Sequence, residues 1–200
     1  VQALDCDMAC GGSVKWLCGG PGAGYLYVAP ELARRLEPRI TGWAAHADPF
    51  AFETGPQRYA PSIMRMLHGS PAVPALLAAT AGYEIVAEVG VDRIRRWSIR
   101  LTVRLRERML ERGFAVPSPV DPARRGGTLT IGLREDEDGK AFVAALAARD
   151  ILVDFRPGAG VRVSPHFYTR AEELDLFCDT MVELRERGGW KAFVASDAAY

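Results

Sequence analysis

The chain has no net charge, because 25 acidic side chains balance its 25 basic ones. Nucleic acid or an anionic membrane surface would call for a basic patch, so neither is expected as a partner. Cysteine is scarce too. Cys6, Cys10, Cys18 and Cys178 form no Cys-x-x-Cys pair, which excludes the spacings of zinc sites and thiol redox centres. The expectation is four reduced, mostly buried thiols in a cytoplasmic protein without a metal site. No apolar run approaches the roughly 20 residues that span a bilayer, and the start lacks the basic flank and apolar core of a signal peptide. An initiator methionine is also missing. The chain opens directly into Val1–Ala9, which reads as a strand needing neighbours on both sides, so a piece of a longer protein is expected. There is no internal repeat and no low-complexity tract.

What is present suits a packed fold: 48% of the 200 residues are hydrophobic, enough to bury a substantial core. After the opening strand, Gly11, Gly12, Gly19, Gly20, Gly22 and Gly24 crowd around Lys15 before a strand-like stretch from Tyr25 to Val28. Glycine at that density means tight turns and close approach of backbone. From Glu31 to about Tyr59 a short helix and long loops are expected, and loops of that length are usually functional. Apolar residues then recur at helical spacing from Ala72 to Arg112, including Leu76, Leu77, Tyr83, Ile85 and Val86, then Ile94, Trp97, Leu101, Leu105 and Met109. Two helices should meet near Gly90, with the arginines between Arg93 and Arg108 on a solvated face.

Gly113 should end the second helix, and the stretch through Gly127, with Pro117, Pro119 and Pro122, reads as a connector. Strands are expected at Thr128–Leu133, Ile151–Phe155 and Val161–Val163, and helices at Asp138–Arg149 and Arg170–Arg187. That is a small two-layer α+β unit.

Lys15 lies between two glycine clusters, flanked by Val14, Trp16 and Leu17. A lysine in an apolar setting tends to shed its proton and become a nucleophile able to form a Schiff base. A surface lysine in a flexible loop is the alternative reading of the same pattern. A nucleotide-binding loop is not, because no Gly-Lys-Ser/Thr ends the glycine run and a strand follows it instead of a helix.

The string Ser13 to Gly24 resembles the cofactor-lysine segment of the kynureninases, where Ser-x-Lys-Tyr-Leu leads into a glycine-rich turn and a strand. Gly42-Trp43-Ala44-Ala45-His46 is similar to that family's Gly-Trp-Phe-Gly-His, and Gly69-Ser70-Pro71 stands where it has a polar residue before proline. Arg156-Pro157 and Gly160 through Pro165 resemble its Arg-x-Pro and the strand that follows. The four anchors keep the family's order over most of the chain.

The resemblance implies the C-terminal half of a pyridoxal 5'-phosphate (PLP) enzyme of the class V aminotransferase superfamily, fold type I. It implies an α/β fold: residues 1–90 as the remainder of the large cofactor-binding domain, 91–112 as a linking helix, and 113–200 as the small C-terminal α+β domain. Lys15 would bear the Schiff base and move the substrate α-proton. Trp43 and Ser70 would belong to the cofactor site and reach it across a homodimer interface. Arg162 would bind the α-carboxylate of an amino-acid substrate. His46 would either touch the substrate ring or carry structural hydrogen bonds. Kynureninase-like hydrolysis of a β-γ carbon bond is the implied reaction. Transamination, desulfuration, epimerisation or a non-catalytic dimerisation module are the alternatives. One departure stands out: the family has tyrosine before the lysine, its hydroxyl serving the cofactor phosphate, where this chain has Val14. The family's partner for the pyridine nitrogen also lies on a strand before the lysine strand, so these 200 residues are not expected to complete the site.

Overall fold

A computed structural model describes residues 4–194. The chain divides between Val89 and Gly90 into two compact units, each described here by itself.

The first unit opens with β1 (Met8–Gly12) and β2 (Gly24–Val28). They pair antiparallel in a register running from Met8 opposite Val28 to Gly12 opposite Gly24. The expected opening strand thus lies further along the chain, and its start at Val1 falls outside the described residues. Cross-strand pairing around the glycine-rich loop, and not the apolarity of residues 1–9, sets where β1 begins. The ribbon is largely exposed within this chain, with Met8, Tyr25 and Leu26 open to solvent, and among the described residues β1 has β2 as its partner. Helix α1 (Pro30–Arg35) follows, started by a proline whose missing N–H costs nothing in the first turn.

The long stretch after α1 contains two short 3-10 turns, Trp43–Ala45 and Ile63–Met66. Arg65 ties it together: its buried guanidinium donates from Nε to the Ala60 carbonyl (2.8 Å) and from Nη1 to the carbonyls of Arg34 and Leu36 (2.9 Å each). Helix α2 (Val73–Val89) closes the unit. Its buried positions are only Ala79, Gly82 and Val86, whereas Leu76, Leu77, Tyr83 and Ile85, which recur at helical spacing, are exposed. Small residues face inward here because backbone, and not side chain, lies against them.

In the second unit α3 (Val91–Glu111) begins after Gly90. It buries Ser98, Leu101, Thr102, Leu105 and Met109 in a stripe of helical period. Strands β3 (Leu129–Ile131), β4 (Asp154–Arg156) and β5 (Gly160–Val163) form an antiparallel sheet in the order β3-β5-β4. The strand expected from Ile151 starts only at Asp154, where pairing with β5 becomes available. Helices α4 (Gly139–Ala147) and α5 (Ala171–Arg187) complete the unit. Asp138 caps α4 by accepting from the N–H groups of Lys140 (2.8 Å) and Ala141 (3.0 Å).

Leu129, Ile131, Val161 and Val163 point into a shared core with Leu101, Leu105, Phe142, Phe177 and Met181. Trp190, in the segment after α5, stacks on Phe142 at 5.5 Å between ring centroids. The arginines of α3 do more than face solvent. Arg104 grips Asp175 of α5 with two hydrogen bonds (2.9 and 2.6 Å), and Arg108 reaches Asp179 (2.8 Å). Arg106 holds the carbonyls of Val116 and Ser118, which fixes the connector. A buried ion pair joins Arg185 to Glu137 (2.6 and 2.7 Å), with the guanidinium 3.4 Å above the Phe114 ring.

The cysteines depart from the buried expectation. Cys178 is buried and the desolvation pushes its thiol up to about 11, but Cys10 is exposed and Cys6 and Cys18 are half-buried. No single helix among the described residues is long and apolar enough to cross a membrane.

Candidate functional site

Lys15 sits in the loop that joins β1 to β2, and the loop is laid along α2. Ser13 is buried at its entrance: its N–H donates to the Ala23 carbonyl (3.0 Å), its carbonyl accepts from Gly19 N–H (2.7 Å), and its Oγ is 2.7 Å from the Tyr83 hydroxyl. Cys18 N–H closes a turn onto the Lys15 carbonyl at 3.0 Å. Gly82 makes the docking possible, since a Cβ there would come within 2.3 Å of the Cys18 carbonyl oxygen and 2.6 Å of that of Leu17. Ala79 and Ala75 meet Gly19 and Gly22 in the same way, at 3.0 and 3.1 Å from the Cβ each glycine would carry. The loop is thus anchored at its base and its exit while its tip, Val14-Lys15-Trp16, is exposed. Within this unit Lys15 is therefore not in the apolar setting expected of it. Among the described residues it makes no ion pair.

Trp43 and Ser70 come from segments that the fold brings together. Gly42 lies so close to the His68 carbonyl that a Cβ would overlap it, and the Trp43 indole Nε1 is 3.8 Å from where a Gly69 Cβ would be, next to Ser70. Trp43 stands half-exposed with its ring edge-on to Phe50 at 5.6 Å, and the Ser70 side chain is exposed. His46 is engaged locally. Asp48 N–H lies 3.0 Å from its Nδ1, its Nε2 is 3.5 Å from Glu53, and its backbone bridges to Tyr59.

Arg162 lies on β5 of the second unit, opposite Thr130 on one side and Asp154 on the other. Val161 and Val163 are buried on the core face, so the Arg162 side chain stands on the other one. Gly160 sets this strand's start: its φ is +106°, and a Cβ would strike the Ile131 carbonyl at 2.1 Å. The Arg162 Nε donates to Asp154 Oδ1 at 2.8 Å and its Nη2 to Oδ2. Around it the same face carries hydroxyls, with Ser118 Oγ 3.2 Å from Thr130 Oγ1 and Thr128 Oγ1 2.8 Å from Ser164 Oγ. A cavity of about 370 Å³ in this unit is lined by Val163 and Pro165 but not by Arg162. Among the described residues no group of three or more His, Cys, Asp or Glu is placed to hold a metal ion.

Sequence reasoning did not single out Tyr83, Gly82 or Asp154. Tyr83 and Gly82 read as ordinary helix positions, and Asp154 carried no periodic signal. The Arg-Pro that follows closely was the only marker near Asp154.

The fold is that of the PLP-dependent transferases. An apo cysteine desulfurase from Thermococcus onnurineus NA1 superposes with a TM-score of 0.84 at 23% identity, covering 94% of this chain and 49% of its own. Residues 94–181 match the family model of the kynureninase C-terminal domain. A kynureninase from Pseudomonas fluorescens is 30% identical over 193 residues, covering 92% of this chain and 45% of its own length. Isopenicillin N epimerase from Streptomyces clavuligerus is 28% identical over 196 residues, 90% of this chain and 48% of its own. The chain spans about half the length of the curated relatives it matches. The chain is thus similar to the kynureninases along most of its length and to their C-terminal domain over residues 94–181.

The residues present fit two ends of that cofactor. An amine without an ionic partner suits its aldehyde, and the exposed Trp43 indole N–H and Ser70 hydroxyl, which lie close to one another, are donors of the kind a phosphate accepts.

Proposed function

We propose that this chain belongs to a cytoplasmic, homodimeric, PLP-dependent enzyme that hydrolyses the β-γ carbon bond of a kynurenine-type amino acid. The observation that carries the reading is Lys15: an exposed amine at the tip of a loop whose base is clamped by Ser13, Tyr83 and Gly82. When bound, the cofactor supplies an electron sink for charge that develops on the substrate α-carbon. Lys15 would hold its aldehyde end through Nζ and, once displaced, move the proton at the substrate Cα. Trp43 and Ser70 would serve the phosphate of the other subunit, a role that their exposure supports. Arg162 would take the substrate carboxylate through its planar fork. His46, spent on Asp48 and Glu53, would hold the Trp43 loop in shape, the structural one of its two expected roles. In the domain assignment residues 1–90 complete the large domain, 91–112 link, and the small domain starts at 113.

A second reading, a transaminase-, desulfurase- or epimerase-type reaction, is favoured by Val14. It is half-exposed and without a donor at the position where the kynureninases carry tyrosine.

Borohydride reduction of the cofactor-loaded, full-length protein tests the assignment. A pyridoxyl adduct should appear on the Lys15 peptide, and Lys15→Ala should lose it with the fold intact. A protein that stays colourless with added cofactor, or an adduct on Lys140 or Lys191, sinks the reading. Product analysis with L-kynurenine, for alanine release, separates the two reactions.

A further inference from the structure

We infer that Asp154 is a positioning residue: it holds the Arg162 guanidinium by its inner edge and leaves the outer fork free for the carboxylate of an amino acid. The inference rests on the reading of Arg162 given above and adds a residue to it. Arginine on the open face of a sheet sweeps many rotamers, and a bidentate contact requires the guanidinium plane to be fixed first. Asp154 does this. It is the cross-strand partner of Arg162, and its two oxygens take Nε and Nη2 together. Among the described residues nothing bonds Nη1, so Nη1 and the second Nη2 hydrogen form an unused pair of parallel donors pointing away from Asp154.

The charges agree with one further carboxylate. Asp154 also accepts from Arg156 Nη2 at 3.2 Å, so Arg156, Asp154 and Arg162 together carry a single positive charge. An Asp154–Arg162 pair alone would be neutral, and an incoming carboxylate would meet the Asp154 charge with little in return. Arg156 adds a second positive charge beside the pair, which favours an incoming carboxylate, and the hydroxyls of Ser118 and Thr130 on the same face add no opposing charge. The pair is partly exposed, with 36% of the Arg162 and 43% of the Asp154 side chain accessible, so a ligand can reach it from solvent.

The test compares L-alanine with ethylamine, which lacks only the carboxylate, as ligands of the full-length, cofactor-loaded protein. The cofactor absorbance is titrated with each, and the ratio of affinities reads the carboxylate contact alone. Asp154→Asn should lower that ratio by about tenfold, leave ethylamine binding unchanged, and keep the melting temperature near the parent value. The Arg162 Nε–H resonance, protected from exchange in the parent, should exchange freely in the variant. Should the asparagine variant fail to fold, Asp154→Ser serves the same comparison. An unchanged ratio in Asp154→Asn, alongside a reduced one in Arg162→Lys, overturns the positioning role while sparing the carboxylate reading. An unchanged ratio in Arg162→Lys overturns both.

Discussion

The fully buried side chains of the second unit are large: Phe142, Leu101, Leu105, Met109, Leu129, Leu146 and Met181 are among them. Among the described residues of the first unit the buried positions are Ser13, Gly19, Ala23, Val28, Ala33, Ala45, Ala60, Arg65, Ala79, Gly82 and Val86, while Trp43, Phe50, Phe52 and Leu77 stand exposed. Burying a large apolar side chain yields roughly 1.5–3 kcal/mol and an alanine far less. The second unit is therefore held by its own core. The first is held by contacts of backbone on backbone and by side chains that grasp carbonyls, such as Arg65 and Ser13. Stability and site placement are thereby divided: an interior that resists unfolding in one unit, and a loop that must be shaped in the other.

The largest effect that would sharpen this contrast is expected at Glu137, which with Arg185 is almost wholly buried, at 3% and 7% side-chain exposure. Glu137→Gln leaves a buried guanidinium without its counter-charge and should destabilise the second unit by about 3 kcal/mol, read as urea unfolding resolved by hydrogen exchange. The same pair sets an acid limit. Burial alone would raise the Glu137 carboxyl, but the Arg185 hydrogen bond and the Arg134 N–H outweigh it and hold it below its ordinary 4.5. A group lowered in the folded state contributes fully above its unfolded pKa, and the contribution fades as pH falls through the folded one. Stability of the second unit should thus decline in acid below about pH 4.5, and in Glu137→Gln much of that decline should vanish. An unchanged acid limb would mean that the pair contributes nothing.

A smaller effect, confined to the first unit, is expected from Gly82→Ala. The added methyl meets the Cys18 carbonyl at 2.3 Å, and relief of such overpacking costs about 1–3 kcal/mol. The loop must lift, so cofactor loading at Lys15 should fall while hydrogen exchange in α3 and α5 stays at parental rates. Parental loading would show that Lys15 does not depend on this docking.

The smallest expected effect needs no substitution. A thiol reagent should modify exposed Cys10 first and Cys6 and Cys18 more slowly. Cys178, buried and with its thiol pushed up to about 11, should react only on unfolding. Early labelling of Cys178 would contradict the closed core of the second unit.

Much of the second unit and the helix that closes the first were legible in the sequence because these elements carry strong periods. The helices expected across Ala72–Arg112 appear as Val73–Val89 and Val91–Glu111, parted at Gly90. The alternation Val161-Arg162-Val163 sets Arg162 apart from the core as expected. Where periodicity was weak, position was decided by pairing, as for β1 and for the strand that starts at Asp154 instead of Ile151. The inward face of α2 was not legible for a related reason. Hydrophobicity marks Leu76, Leu77 and Ile85 as core, but the surface they would face is backbone, which accepts only small residues. Of the candidate site, the lysine loop and the arginine strand were readable as motifs. Their supports, Tyr83 and Asp154, were not, because a partner across a sheet or far along the chain leaves no local spacing to detect.

The contact between Ser13 and Tyr83 joins residues 70 positions apart, and this has a kinetic meaning. Closing so long a segment costs conformational entropy that no local turn repays; α3 and α5 of the second unit close a segment as long, Arg104 and Asp175 being 71 positions apart, but large buried side chains repay it there. The lysine loop should therefore be among the last parts of the molecule to reach its place during refolding. If so, uptake of the cofactor would lag behind recovery of helicity, and the appearance of colour would clock the final step of assembly.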